Sequence, residues 1–598
     1  MKAFRLLAIG LCIVLSVTNV SSEVDEDDTL LRAMHDEMDR ALSELQLEDE
    51  PKPYFISYTV EETTTASESY VLGAQDGSIY DQVRRLTTKV RVGSKSLDNS
   101  NFVNLQSDPT AGANSGSLLL PIDDNYHELR RSLWIATDQA YKEAIAAYAA
   151  KKAAVSAQSR RSRSADFSDE VPFSFKSSNE VPQPSTEAIS SIARELSKTF
   201  QGHSEIFGSS ATVVSVATKR TYLDSEGNYH TYTTEFCSAK SRAETHSTEG
   251  TELSDTTTFL AKGCGELPDV STMKQQTAQM VDQLKRQRHA EELAAYDGPV
   301  LLEAQAVAEF ANQVLLDLFG AVPLPQIGNA DFDARIQQLT TPFLDRMNAR
   351  VFPRSFNIVN DPTITEYEGR PLLGSYSVDA EGLPSRRTEL VVEGRLRRLL
   401  TSRAPIGSLE NSTGSHRGLP LPLPGNLFLT MDSAVTMDEL KSQLLATAES
   451  NGSDFAVFIR KISNALDIHS DHAILQQKFH ASMSGAILVL PSVYATKVYS
   501  DGRETPLQPV VIVNFDPSFF KDILGVSETR QHFDVPVSTL GPVMVSSVLT
   551  RGVGSLAGAD QTIASVVTPA LLFEELSLRS ARDQNPKLPI VPHPLSNN

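Results

Sequence analysis

Apolar residues recur at helical spacing near the start of the chain. Leu30, Leu31, Met34, Met38, Leu42 and Leu45 share one face, and Pro51 and Pro53 end the run. Residues 54–60 and 86–92 then alternate and are rich in β-branched and aromatic side chains, which predicts two strands. Asp123 and Asp124 can cap a long Ala-rich helix over about 126–155. Trp134, Asp138 and Tyr141 fall on one face of it and read as a packing stripe. Residues 158–184 are polar, with a basic Ser/Arg knot at 159–164, and read as a solvated, flexible loop. Ile189, Ile192, Ala193 and Leu196 mark a short helix. Strands follow at 211–223, 229–239 and 251–261, with a turn at 224–228, and then a charged helix from 267 to about 295.

The pattern changes after Asp297-Gly298-Pro299. A short apolar strand at 300–302 leads into a helix over 304–319, and the remainder is mostly strands and turns. Thr436 and Glu439 form a capping box for a helix at 437–449, and another helix is expected at 516–524. Asp501-Gly502 predicts a hairpin between 493–499 and 510–514. The expected fold class is α+β. It comprises an N-terminal helix–sheet domain (23–296, with 156–185 a flexible linker or insertion) and a β-rich C-terminal domain (297–598) of mainly antiparallel strands.

The 598 residues carry 54 basic against 75 acidic side chains, a net charge of −21. Such a chain is a poor non-specific binder of nucleic acid or of an anionic membrane, so neither is expected as a partner. Residues 1–22 read as a secretory signal: Lys2 and Arg5, an apolar run at 6–17, then Val20-Ser21-Ser22. No later segment has the length and apolarity of a membrane span. The expectation is a secreted or periplasmic chain, a compartment that permits disulfides. Three cysteines rule out a disulfide mini-fold or a Cys-rich metal module. Outside the leader, Cys237 and Cys264 lie at or near strands flanking a turn at 248–250. A bridge and two free, buried cysteines are both compatible with that placement.

Candidate chemistry is sparse. The chain has no Gly-x-Ser-x-Gly elbow, no phosphate-binding Gly-Lys loop and no Cys-x-x-Cys. His127-Glu128 lacks a second histidine at zinc-binding spacing. His469, His472 and His480 form a cluster that reads either as a metal site or as a polar surface loop. Gly414, Ser415 and His416 lie in a small-residue loop. Backbone ligand binding and a plain structural loop both suit it, and a Ser–His neighbour pair alone is weak support for nucleophilic catalysis.

Several stretches occur in an order that resembles the TldD/PmbA family. Residues 298–308 resemble that family's strand-into-helix element. Asp379-Ala380-Glu381-Gly382, followed by Thr388 to Leu396, resembles its D-x-E-G hairpin. Ser412-Thr413-Gly414-Ser415-His416-Arg417 resembles its S-T-G-H loop, residues 424–428 the strand that follows, and residues 498–504 a late hairpin. The resemblance implies a metallopeptidase lineage whose active branch, TldD, binds zinc through HExxxH and a late Cys and cleaves extended peptides inside a dimer. The other branch, TldE or PmbA, lacks those ligands and pairs with the first.

In this chain Glu303 stands at the first His position, Ala304 at the catalytic Glu and Ala308 at the second His. Residues 552–559, where the late Cys would fall, contain none. Alanine neither binds zinc nor takes a proton. The resemblance therefore implies a zinc-free chain without catalytic residues, grouped with the second branch, and leaves its status as an enzyme open. It implies a homodimer or a heterodimer with an HExxxH-bearing family member, and an extended peptide as ligand. Glu303, Gly414, Ser415 and His416 are the binding candidates carried over. A homodimeric peptide-binding or assembly protein is the alternative, and a rebuilt site around His416 or the 469–480 histidines is a third.

Overall fold

The computed structural model describes residues 28–102, 117–157, 164–177, 181–329, 331, 333–334, 340–418, 421–464, 487, 489–537 and 562–581. The expected leader (1–22), the 469–480 histidines and the 552–559 stretch lie outside them.

Helix α1 (Thr29–Glu44) starts where Asp28 accepts the Leu31 N–H at 2.9 Å, and it buries Leu30, Leu31, Met34 and Met38. Strands β1 (Pro53–Val71) and β2 (Ala74–Ser94) form one long hairpin closed at Gly73, whose φ of +87° suits glycine. The two short strands expected at 54–60 and 86–92 are thus only its base. The distal part alternates polar with polar, so it carries no amphipathic signal. It is held instead by cross-strand pairs such as Thr63–Thr218 and Ser69–Thr212, each 3.1 Å.

Helix α2 (Tyr126–Ala157) buries Leu129, Leu133, Ala136, Ala140 and Ala144 against α1 and the hairpin. The expected stripe splits. Tyr141 is buried, its hydroxyl bonded to the Pro51 carbonyl at 3.0 Å, whereas Trp134 is 48% exposed. The connector at 47–51 covers Tyr141 but not the turns before it.

Helix α3 (Thr186–Ser197) precedes strands β3 (Gly208–Asp224), β4 (Tyr229–His246) and β5 (Glu252–Ala261). The sheet runs β2-β1-β3-β4-β5, each neighbour antiparallel. Helix α4 (Val270–Gln287) is capped by Asp269 and stops short of the expected 295. Cys237 in β4 is disulfide-bonded to Cys264, with Cα atoms 5.0 Å apart. Within the expected linker, residues 164–177 are not a solvated loop. Asp166 accepts the buried Lys151 ammonium at 2.8 Å, Phe167 packs edge-on to Phe55, and 174–176 pair with β4.

The second half is built on β6 (Ala295–Leu302), which begins ahead of the Gly298-Pro299 pair, and helix α5 (Ala304–Gln313). The helix expected to reach 319 is interrupted at Val314. Strands β7 (Phe356–Asn360), β8 (Thr388–Val392) and β9 (Asn426–Met431) lead to α6 (Met437–Ser450), which has the expected capping box. Strands β10 (Phe455–Ile462), β11 (Ser492–Tyr499), β12 (Glu504–Leu507), β13 (Val510–Val513), β14 (Ile523–Pro536) and β15 (Ile563–Ser580) follow.

The main sheet path is β8-β7-β9-β15-β6-β10-β11-β12, with β13 and β14 also paired to β15. Only β9–β15 and β6–β10 are parallel along that path, so the fold is α+β with mainly antiparallel strands. The hairpin at Asp501-Gly502 returns on β12, not on 510–513. Pro509, with no N–H to give, separates β12 from β13, and β13 crosses to β15. The 516–524 segment is a 3-10 turn at Pro517–Asp522. Among the described residues no helix is long and apolar enough to cross a membrane.

Candidate functional site

Three loops of the second half converge on the polar face of β3 and β4. The first is Asp379–Leu383. The Asp379 carboxylate, buried, accepts the N–H groups of Glu381 (2.9 Å), Leu383 (3.0 Å) and His416 (3.2 Å). A short acidic side chain that bonds its own loop is what makes this turn close. Burial, and secondly the neighbouring Glu381, push the Asp379 carboxyl up to about 7. Burial also works to raise Glu381. His416, Lys89 and Arg403 outweigh it and hold that carboxyl below its ordinary range. Gly382, at φ +83°, lies against Tyr222 and Asn228, and a Cβ there would come within 2.9 Å of both.

The second loop is Thr401–Arg403. Arg403 is 1% exposed. Its guanidinium stacks on Phe167 at 3.8 Å and donates to the Ser168 carbonyl (2.8 Å) and to Glu226 (2.6 Å), all three on the N-terminal half. Its backbone N–H donates to Glu381 at 2.7 Å, so one residue ties the carboxylate loop to the other half of the chain.

The third loop carries the binding candidates. Gly414 is at φ +66°, where a Cβ would lie 2.2 Å from the Pro384 carbonyl oxygen, so only glycine fits. Ser415 is buried and its hydroxyl accepts from Thr413 at 3.0 Å. The His416 carbonyl accepts the Ala380 N–H at 2.6 Å, and its Nε2 lies 4.0 Å from Glu381. Arg417 stacks over Tyr376 at 5.0 Å and donates to the carbonyls of Pro424 and Ile563. Across from these loops His230 is fully buried and stacked on Tyr222 (4.8 Å). Burial, then the nearby Arg220, lower its pKa well below the ordinary value, so it is neutral.

Gly414, Ser415 and His416 are therefore brought together with Asp379 and Glu381. Glu303 sits elsewhere. It is the N-cap of α5 without a side-chain cap bond, and its N–H donates to Ile459 at 2.9 Å. Burial raises its carboxyl against the pull of Arg460 and Lys441, which themselves pair with Glu504 at 2.6 and 3.2 Å. Ala304 and Ala308 are buried, and Phe310 of the same helix packs against Phe515, Phe520 and Phe573. Glu303, Ala304 and Ala308 supply one side-chain donor between them, which does not fit a zinc ion.

Of the converging residues, Asp379 and Glu381 had a sequence signal in the D-x-E-G motif. Arg403 lay in the 399–403 stretch that continues that motif, whereas Tyr222 and His230 had no signal, because alternation reads them only as strand positions.

The stretch 296–579 matches the family model described as the PmbA/TldA metallopeptidase C-terminal domain. That stretch, a little under half of the chain, is a domain of the TldD/PmbA family.

Solved structures of similar fold extend the likeness beyond that domain. A Thermotoga maritima protein whose name links it to modulation of a DNA gyrase is 13% identical, with TM-score 0.54 over 88% of this chain and 96% of that one. TldE from Thermococcus kodakarensis is 11% identical, with TM-score 0.52 over 88% and 97%. A Bacteroides thetaiotaomicron protein of similar name is 9% identical, with TM-score 0.52 over 92% and 98%. At these identities the likeness is one of fold. No curated protein matches the chain.

Proposed function

We propose that this TldD/PmbA-family chain is a secreted peptidase homologue that works without zinc, as the non-catalytic partner or peptide-binding subunit in proteolysis of extended peptides. The observation that carries the reading is helix α5. Where the resemblance places His, Glu and His, this chain has Glu303, Ala304 and Ala308, with both alanines buried. A single carboxylate cannot hold a catalytic zinc, and alanine cannot act as a base. A peptide would be held through strand edges, by main-chain hydrogen bonds more than by reactive side chains.

The test is a mild pull-down of the tagged mature chain from its own source, with metal analysis of the product. Recovery of a near-equal partner bearing HExxxH, with zinc on that partner alone, is the expected result. Recovery of this chain alone would favour the homodimeric peptide-binding alternative. Stoichiometric zinc on this chain, lost together with peptidase activity in Glu303→Ala, would overturn both.

A further inference from the structure

Helix α1 and the first turns of α2 leave a groove of about 320 Å³ between them, remote in sequence from the loops described above. Its floor is Glu37, buried, which takes two guanidinium groups: Arg40 through Nε at 3.0 Å and Arg130 through Nη2 at 3.5 Å. Arg130 also donates to the Tyr126 hydroxyl at 2.9 Å. Its outer wall comes from one exposed face of α2, where His127, Arg131 and Trp134 follow one another at spacings of four and three. The Arg131 side chain is 58% exposed. Its contact is Nε to Glu128 at 3.4 Å, longer than a well-formed hydrogen bond, and its Nη atoms have no partner among the described residues. Trp134 is the chain's only tryptophan, and nearly half of it faces solvent.

We propose that this groove binds the C-terminal carboxylate of an extended peptide whose last side chain is apolar. The Nη edge of Arg131 matches a carboxylate in planar, forked geometry, and His127 stands one turn away as a second donor. The indole beside them offers apolar area that a bare inorganic anion would leave unused, which is why a carboxylate flanked by an apolar group suits the wall best. Arg40 and Arg130 are already paired with Glu37, Glu44 and Asp36, so Arg131 is the cation of this wall that meets an incoming anion. The volume is at the small end for ligand clefts, which suits one terminal residue and its carboxylate. This inference rests on the peptide-binding reading and adds to it an anchor for the peptide's end.

The sole tryptophan makes the test direct. The full mature chain is titrated with N-acetyl-Ala-Leu-Phe bearing a free carboxylate, and with the same peptide amidated. Trp134 emission is followed alongside calorimetry. The expected result is a saturable emission change with the free acid and affinity weaker by about tenfold or more for the amide. Arg131→Ala and His127→Ala are each expected to weaken the acid and not the amide, and both side chains are exposed enough for the fold to survive. Trp134→Phe should keep binding by calorimetry. Equal affinity for acid and amide would overturn the inference. Calorimetric binding with unchanged Trp134 emission would also overturn it while leaving peptide binding at another site intact. Absence of any binding to the chain overturns the inference, and the pull-down then decides the broader reading separately.

Discussion

The start of helix α5 and the loops at 379–383 and 412–417 belong to the same half of the chain, and they have gone opposite ways. At the start of α5, Ala304, Val307, Ala308 and Phe310 are buried in apolar packing, with Glu303 partly buried at the cap. At the loops, polar groups are gathered out of water and nearly all of their bonds hold backbone or the other half of the chain. The contrast teaches that burial by itself does not mark chemistry. The α5 position that the family resemblance makes most significant is here ordinary core. The polar cluster, which a search for acid–base residues would pick out, is largely a joint between the two halves.

Removing Arg403 should break that joint and give the largest effect. Arg403→Ala removes the buried guanidinium from Glu226 and the Ser168 carbonyl, leaving Lys95 as the other cation beside Glu226, and opens space beside Phe167. Truncating one partner of a buried ion pair costs about 3–5 kcal/mol. Urea unfolding followed by circular dichroism checks this, and the two halves should no longer melt together. A loss under about 1 kcal/mol would mean that the pair is solvated in practice and the cluster is free for ligand work.

Ala308→His sharpens the other side of the comparison. If α5 is ordinary core, an imidazole there overpacks a filled site and lacks a partner, at a cost of about 3 kcal/mol. A variant that melts like the parent would show room for a side chain, and would reopen this helix as a metal site.

The smallest effect is a pH dependence. The folded pKa of Asp379 is raised to about 7 by burial and by Glu381. Its contribution to stability is therefore full below the ordinary carboxylate range, near 4, and is lost as pH rises through about 7. Glu381 is held low, so its contribution is present above that range and is lost as pH falls below it. The melting temperature should decline by a few degrees from pH 5 to pH 8, and Asp379→Asn should flatten that decline. An equal slope in parent and variant would assign the titration to another group.

Elements of both halves were legible where one face is apolar or a cap is local. The α1 stripe, the base of the β1–β2 hairpin and the Thr436–Glu439 capping box all stand close to where their patterns put them. The distal hairpin was not legible, because Thr and Ser on both faces give no period. Nor was the packing of Asp166 and Phe167, whose partners Lys151, Phe55 and Arg403 are distant in sequence. Within the candidate site, Gly414 and the D-x-E-G turn could be read from local chemistry. Glu303 and His416 were grouped as one site by motif alone, and the fold holds them apart.

The sequence by itself determined the α+β class, the order of helices and strands, the glycine turns and the absence of donors at Ala304 and Ala308, because each follows from local residue chemistry and short-range periodicity. Only the tertiary structure decided that Asp379, Glu381, His416 and Arg403 meet the face of β3 and β4, that Cys237 and Cys264 are bonded, and that Trp134 stays in the open. Those outcomes depend on which distant segments cover one another, and covering is a property of the packed chain that no local pattern encodes.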